Sequence, residues 1–212
     1  MDGTSPVQVI IEALVAIGTI AVAVLAIWGD WFREKLGMGP KLGLRVRDTQ
    51  GSLTSRGDER RVIYYHLIVE NKRRWALARG VQVMITQIWR QAAGGNFKAE
   101  DLAARLPLTW QFPQFNPVNP NIRDSRLCDL GFVIEGEDHF RPSLYFYPNN
   151  FGGFVRAGDT VRFGLEVRAE NFTSESPHVI EVSWDGQWTE DIDKMKLHLD
   201  ISDRGTKPVN DD

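Results

Sequence analysis

The sequence predicts a mainly β protein, in which one transmembrane α-helix precedes an antiparallel β-sandwich. Residues 7–28 are almost unbroken apolar sequence. Apolar and polar residues alternate in most segments after residue 41, and Gly, Asn, Asp or Pro separates these segments. The predicted divisions are a short tail at 1–6, the helix at 7–28, a juxtamembrane linker at 29–40, the sandwich domain at 41–202 and a polar tail at 203–212.

The apolar segment is long enough to cross a bilayer. A helix over 7–28 would extend about 33 Å, against a hydrocarbon core of about 30 Å. Its twelve Val, Ile and Leu residues each favour insertion by about 0.3 to 0.6 kcal/mol. Glu12 opposes insertion by up to about 3 kcal/mol, but it lies near the end of the span. A membrane anchor is therefore favoured over a buried core helix, which would show a polar face.

A cleaved signal peptide is the other alternative. Such a peptide has a basic start and an apolar run of about 7 to 15 residues. Here Asp2 precedes the run without any Lys or Arg, and the run is longer. The segment Ala-Val-Ala at 21–23 could serve as a cleavage site, so this alternative stays open.

Basic residues near the span predict its orientation. None precedes the span, and five follow it closely: Arg33, Lys35, Lys41, Arg45 and Arg47. Because the basic flank stays in the cytoplasm, we expect an inner-membrane protein with its N-terminus outside and its C-terminal domain cytoplasmic. The single cysteine, Cys128, cannot form an internal disulfide, which suits a reducing cytosol.

One face of the predicted helix carries small side chains at helical spacing. Small residues let a second helix approach closely. This face predicts a helix–helix contact and a possible homo-oligomer through Ala16, Thr19, Ala23 and Ala26.

The remaining chain is rich in β-branched and aromatic residues, which favour strands. Strands without crossover helices pair antiparallel, so a sandwich is the simplest architecture. Ala, Glu and Leu are concentrated at 98–106, which predicts a short helix there. The predicted strands lie at 42–46, 63–69, 81–88, 127–134, 144–147, 161–167, 179–184 and 195–201.

Two local patterns resemble immunoglobulin-like domains. Val-Glu-Asn at 69–71, Ala76 or Ala78, and Val-Gln-Val at 81–83 resemble a hairpin of fibronectin-type and adhesion-type bacterial sandwiches. The resemblance implies that Asn71 turns the chain, since Asn tolerates positive φ. Ala-Gly-Asp-Thr-Val at 157–161 resembles a turn that opens a strand in those domains. With its apolar anchor, its middle rich in proline and aromatic residues, and Val-Ser-Trp-Asp-Gly-Gln-Trp at 182–188, the whole chain is similar to a group of uncharacterised bacterial single-pass membrane proteins. These resemblances imply an immunoglobulin-like fold and no activity.

The sequence contains no recognised catalytic or metal-binding motif. Cys128 is followed by Asp129, which should raise its pKa and weaken it as a nucleophile. We therefore predict no catalytic residue, no cofactor and no metal site. Two of the histidines, His66 and His198, are expected at the surface of strands. No histidine has another His, Cys or acid at metal-ligand spacing, and the four are His66, His139, His178 and His198.

Two polar clusters have alternative interpretations. Asp185-Gly186, followed by further acids, lacks the spacing of an EF-hand, so we predict a tight turn with Trp184 and Trp188 packed beneath it. The basic cluster could contact anionic headgroups or form a solvated turn, which we favour. Its residues are Lys72, Arg73 and Arg74.

Residues 107–148 form the most unusual part of the predicted domain, with six of the ten prolines. Within this part, residues 112–124 lack any strand pattern, because their prolines remove backbone donors that a sheet would need. A long irregular loop in a compact domain is usually functional or disordered, and aromatic residues argue against disorder. The loop is expected either to plug the open end of the sandwich or to dock a partner protein. The candidate partner-binding residues are Trp110, Phe112 and Phe115.

The charge pattern limits the function classes. After residue 30 the chain carries all 25 Lys and Arg and all but three of the 28 Asp and Glu. This balance argues against nucleic-acid binding, which needs a basic surface. We expect a membrane-anchored, non-catalytic interaction or sensing module with an unknown protein partner. The alternatives are an effector subunit of a multi-component system, such as a defence system, and an extracytoplasmic ligand-binding domain.

Overall fold

The computed structural model describes residues 6–35, 37–55, 57, 59–114 and 117–206. The chain divides into two compact units, Met1–Gly39 and Pro40–Asp212. The described part of the first unit contains one helix, α1 (Pro6–Lys35). Its segment Pro6–Gly29 is long and apolar enough to cross a membrane, and no part of its most apolar window is buried. Membrane anchors and signal sequences share these properties.

The second unit is built from short strands and one short helix, α2 (Ile192–Met195). Gly, Asn, Asp or Pro stands in many of the connections. The strands are β1 (Leu42–Val46), β2 (Ser52–Ser55), β3 (Arg61–Asn71), β4 (Gln82–Gln91), β5 (Phe97–Glu100), β6 (Leu106–Pro107), β7 (Ser125–Ile134), β8 (His139–Pro142), β9 (Val155–Arg156), β10 (Asp159–Ala169), β11 (Phe172–Thr173), β12 (His178–Trp184) and β13 (Leu199–Gly205).

These strands form two antiparallel sheets. The order in the first sheet is β1-β3-β7-β8-β9, with β2 also paired to β3. The order in the second is β13-β12-β10-β4-β5, with β6 paired to β4 and β11 to β10. Side chains of both sheets form one buried cluster that includes Leu67, Leu130, Val83 and Phe163. This arrangement confirms the predicted sandwich preceded by one apolar helix.

Strand β3 is covered on both of its faces. Ile63, Tyr65 and Leu67 point into the core between the sheets. Val62 and His66 alternate with them, yet they are buried as well. A strand that is covered on both faces loses the simple alternation of apolar and polar residues. The outer face of this sheet therefore carries a second covered region.

The pairing of β3 with β7 contains a bulge between Tyr65 and His66. Tyr65 lies opposite Gly131, and a Cβ atom at Gly131 would overlap the Phe140 ring and the Arg141 carbonyl oxygen. Beyond the bulge, His66 lies opposite Asp129. The bulge thus sets which side chains of β7 face outward beside His66.

Three predicted elements are wrong in detail. The helix expected at 98–106 is replaced by β5 and β6, which both pair with β4. The strand expected at 144–147 is reduced to one bridge between Leu144 and Leu108. Met195 ends α2, and the last strand begins at Leu199. Pairing with β4 outweighs the helical composition of residues 98–106, and the cap that Asp191 gives α2 outweighs the strand pattern before Leu199.

The predicted hairpin at 69–83 is also wrong, because β3 and β4 belong to different sheets. Asn71 is not among the described residues with positive φ. Its side chain is buried and accepts hydrogen bonds from the backbone nitrogens of Lys41 and Arg73. It also donates to the carbonyls of Ala76 and Ile122. Asn71 therefore joins three segments where the chain passes between the sheets.

The turn expected before residue 161 is observed. Gly158 has a φ of 82° and directly precedes β10. Glycine adopts this left-handed conformation without the steric cost of a Cβ atom.

An ion-paired cluster lies on the second sheet. Glu181 accepts a hydrogen bond from Arg162 at 2.7 Å and another from Arg204 at 2.6 Å. Burial acts to raise the pKa of Glu181, but the two guanidinium groups outweigh it and hold the pKa below its ordinary value.

Candidate functional site

The first sheet carries a pocket of about 470 Å³ on its outer face. This volume lies within the range of small-molecule sites. β2 and β3 supply one side, and the segment that follows β6 supplies the other. The lining residues are Ser52, Leu53, Thr54, Tyr64, His66, Thr109, Gln111, Phe112, Pro113, Gln114, Asp129 and Ser143. We call this the outer pocket.

A buried histidine–aspartate pair lies in the outer pocket. His66 and Asp129 are cross-strand partners on β3 and β7, and each is only 5% exposed. His66 Nδ1 lies 2.8 Å from Asp129 Oδ1. When Asp129 is ionised its carboxylate only accepts hydrogen bonds, and Nδ1 then carries the proton of this bond. The pair fixes the orientation of the imidazole ring.

The other ring nitrogen of His66 is buried without a hydrogen-bond partner among the described residues. Tyr64 stacks beside this imidazole, with ring centroids 6.5 Å apart and planes within 5°. A buried polar atom without a partner is uncommon in folded proteins and calls for an explanation. Less than 1 Å² of Nε2 is accessible, so a ligand in the outer pocket would become its partner only with a small movement of the neighbouring side chains.

Two hydroxyl groups complete the polar part of the pocket. Thr109 Oγ1 and Ser143 Oγ lie 2.6 Å apart and share a hydrogen bond. The backbone places them beside the pair, because the Asp129 amide donates to the Thr109 carbonyl at 2.9 Å. The Ser143 amide donates to the carbonyl of Leu130 at 3.0 Å. Residues 109–111 therefore continue the edge of the sheet where β8 ends.

The structure separates the predicted partner-binding aromatics. Trp110 is 1% exposed, and its Nε1 donates to the Val118 carbonyl at 3.0 Å, so its ring belongs to the core. Phe112 is 57% exposed at the outer pocket and has a φ of 56°. This backbone conformation is uncommon for an aromatic residue and often marks a functional site. Phe115 lies outside the described residues.

The outer pocket has the chemistry of a binding site. It combines one carboxylate, one oriented imidazole and hydroxyl and amide groups with aromatic and aliphatic surface. Within the described chain, no hydroxyl donates a hydrogen bond to His66 Nε2. No group of three His, Cys, Asp or Glu residues that could hold a metal occurs among the described residues.

The expectation that His66 is a surface residue is wrong. β2, the bulge in β7 and the 109–114 segment cover it, which a strand pattern alone does not show. The remaining histidines are half-buried, and each is within 2.8 Å of an aspartate oxygen. These pairs are His139–Asp138, His178–Asp203 and His198–Asp185.

The cysteine is inaccessible in the folded domain. Cys128 is 0% exposed, and its Sγ lies 3.3 Å from the Thr109 carbonyl. Burial raises the pKa of the Cys128 thiol well above its ordinary value, and the Asp129 charge raises it further, as predicted.

The basic cluster at residues 72–74 follows β3. Arg74 forms an ion pair at 3.0 Å with Asp124, and both side chains are largely exposed. Lys72 is exposed, and Arg73 is half-buried and donates its backbone N–H to Asn71. Contact of this cluster with headgroups stays a prediction.

The Asp185-Gly186 segment forms a turn. Gly186 has a φ of 92°, and the Gln187 amide donates to Asp185 Oδ1 at 2.8 Å. Trp184 is buried, and Trp188 packs against the core. The Asp185 carboxylate therefore accepts a hydrogen bond within the turn.

The four small residues of the helix, Ala16, Thr19, Ala23 and Ala26, lie on α1 and are exposed. The Thr19 hydroxyl donates to the Val15 carbonyl at 2.8 Å. This bond within the helix uses the hydroxyl proton, so a contact here would depend on close packing.

Sequence reasoning missed the outer pocket because its polar pair joins distant strands. One signal was present: residues 62–69 are apolar at almost every position except His66. A continuous apolar run indicates a strand covered on both faces. A lone histidine within such a run is therefore a buried polar group that needs a partner.

Comparisons of the chain with protein-family models, with curated proteins and with solved structures find no match. The functional interpretation therefore depends on the geometry of the outer pocket.

Proposed function

We propose that this protein is a membrane-anchored sensing module, and that its β domain binds a small ligand in the outer pocket. The observation that carries the proposal is the unpartnered, buried Nε2 of His66 within a pocket of ligand size. Leaving such a group without a partner costs about 1 to 3 kcal/mol, which a bound ligand would recover. Six buried side-chain atoms of the described chain lack a hydrogen-bond partner, and among them only His66 Nε2 belongs to a residue that lines the outer pocket.

We further propose that α1 anchors the domain in the inner membrane, with the domain in the cytoplasm. The basic residues after the apolar segment support this orientation. An anchor would raise the effective concentration of the domain toward membrane-bound partners. The exposed ring of Phe112 at the mouth of the pocket would let such a partner respond to occupancy.

A pocket-blocking variant tests ligand binding. Thr54 is exposed on β2 and lines the pocket, whereas the exposed Ser55 points to the opposite face of the same strand. The low-molecular-weight fraction of the producing cells should raise the unfolding temperature of the parent and of Ser55→Trp, but not that of Thr54→Trp. Equal shifts in all three proteins, or no shift in any, would overturn the proposal.

A new cysteine tests the orientation. The buried Cys128 cannot report it in the folded protein, but Ala93 is exposed at the turn between β4 and β5. In Ala93→Cys, an impermeant maleimide should label the membrane-bound protein only after the cells are lysed. Labelling in intact cells would instead favour an extracytoplasmic ligand-binding domain. A soluble full-length protein would exclude the anchor.

The effector alternative requires association of helices. The observation that favours it is the exposed small-residue face of α1. Replacing Ala16, Ala23 and Ala26 by Leu should then abolish oligomers measured in membranes. Unchanged association would remove this support without affecting the ligand-binding proposal.

A further inference from the structure

We infer that the ligand of the outer pocket is a small organic amine in its ammonium form. This inference rests on the proposed function, because it names the ligand class of that same pocket. Three features of the pocket carry it: the hydrogen-bonding character of His66, the charge of the lining residues and the aromatic surface near the mouth.

The first feature is the imidazole nitrogen of His66 that lacks a hydrogen-bond partner. His66 Nδ1 donates to Asp129 Oδ1 across 2.8 Å. In the neutral ring the buried Nε2 is then an acceptor. In the protonated ring it would be a buried, charged N–H without an acceptor, which costs more than an unpaired neutral acceptor. The ligand atom that meets Nε2 is therefore a hydrogen-bond donor.

The second feature is the charge balance of the lining. Among the described residues that line the pocket, Asp129 is the only acid and none is Lys or Arg. Tyr64 also lines the pocket, and a phenol is ordinarily uncharged near pH 7. With an ionised Asp129 and a neutral His66, the described lining of the pocket carries one negative charge. An ammonium group would compensate this charge, whereas a carboxylate or phosphate would repel it.

The third feature is the surface around the polar pair. Tyr64 and Phe112 present aromatic rings, which attract ammonium groups through their faces. Pro113 adds apolar surface for a hydrocarbon body. The hydroxyl pair of Thr109 and Ser143 provides lone pairs for the further N–H groups of a primary amine. One end of the ligand would thus be a donor cation and the other apolar.

Three probes that share a phenyl ring and differ in their polar group separate the ligand classes. Benzylamine, benzyl alcohol and benzoate are cationic, neutral and anionic at about pH 7.5. Their dissociation constants would be measured by protein-observed NMR on the full-length protein in detergent micelles. We expect benzylamine to bind about tenfold more tightly than benzyl alcohol and about 100-fold more tightly than benzoate.

Two variants and one control variant assign the effect to the pocket. Asp129→Asn removes the charge while keeping the side-chain shape, and it should bring benzylamine and benzyl alcohol to within about threefold of each other. Thr54→Trp should weaken all three probes, and Ser55→Trp should weaken none. If Asp129→Asn does not fold, the ranking of the probes on the parent protein still decides the ligand class.

The outcomes distinguish the two proposals. If none of the probes binds the parent protein, both the outer pocket as a site and the amine class are overturned. If benzyl alcohol or benzoate binds as tightly as benzylamine, and Thr54→Trp blocks it, the pocket is a site and the amine class is wrong. Binding that Thr54→Trp leaves unchanged lies elsewhere and overturns both.

Discussion

Replacing Trp110 by Ala should strongly destabilise the domain, whereas replacing Phe112 should not. Both residues belong to the proline-rich part of the chain at 107–148, and the sequence predicts both as candidates for binding a partner. The structure assigns them opposite environments, because Trp110 is 1% exposed and Phe112 is 57% exposed. The comparison therefore separates the core function of the segment from its surface function.

The expected magnitude follows from burial and hydrogen bonding. Truncating a buried Trp to Ala costs about 3 to 5 kcal/mol. Loss of the Nε1 donor to the Val118 carbonyl adds about 1 kcal/mol. Each kcal/mol lowers the melting temperature of a domain of this size by about 2 to 4 °C. Trp110→Ala should therefore melt about 10 to 20 °C lower.

Thermal unfolding of the full-length protein, followed by near-ultraviolet circular dichroism in detergent, measures this difference. Phe112→Ala is the matched control and should melt within about 3 °C of the parent, since exposed substitutions cost little. A melting temperature of Trp110→Ala within about 2 °C of the parent would refute the placement of this ring in the core.

Three other outcomes are expected. Gly131→Ala should lower the free energy of unfolding in urea by about 1 to 3 kcal/mol, because a Cβ atom there overlaps Phe140. The control Gly94→Ala has open space around it and should change that free energy by less than about 0.5 kcal/mol. Equal effects of the two substitutions would contradict the β7–β8 packing. Cys128 should react with a thiol reagent only as the domain unfolds, and rapid labelling of the native protein would contradict its burial. Because the folded-state pKa of Glu181 is lowered, this carboxylate stabilises the fold above the ordinary glutamate pKa, and the stabilisation is lost as pH falls through the folded-state pKa. Below about pH 4.5, acid should therefore destabilise the parent protein more steeply than Glu181→Gln. Identical dependence of stability on pH in the two proteins would contradict the ion pairs.

The sequence could predict the strands that have one clear pattern. β3, β7, β10 and β12 contain β-branched and aromatic residues in runs bounded by polar turns, so their positions follow from local properties. The glycine turn before β10 has the same local origin. These features, together with the apolar helix, were sufficient for the fold class.

The errors concern the pairing of segments with one another, which local composition does not show. Residues 98–100 have a helical composition, but their backbone pairs with β4. Asn71 looks like a hairpin residue, but its four hydrogen bonds reach three separate segments as the chain changes sheets. Local propensity cannot show which sheet a strand joins, because tertiary pairing overrides it.

The candidate site was unpredictable for the same reason. His66 and Asp129 are separated by 63 positions, and they meet only because a bulge sets the register of β3 with β7. Of the described residues predicted to bind a partner protein, Phe112 is the one that lies at the outer pocket. Its neighbour Trp110 shows that aromatic density does not distinguish core rings from exposed rings.

The nitrogen signals of the His66 ring, recorded by long-range ¹H–¹⁵N NMR of the ligand-free protein, test the central claim most directly. We expect a protonated Nδ1 bound to Asp129 and an unprotonated Nε2 that accepts no hydrogen bond, because that atom has no donor among the described residues. Protonation of Nε2, with or without Nδ1, would contradict the binding site that we describe.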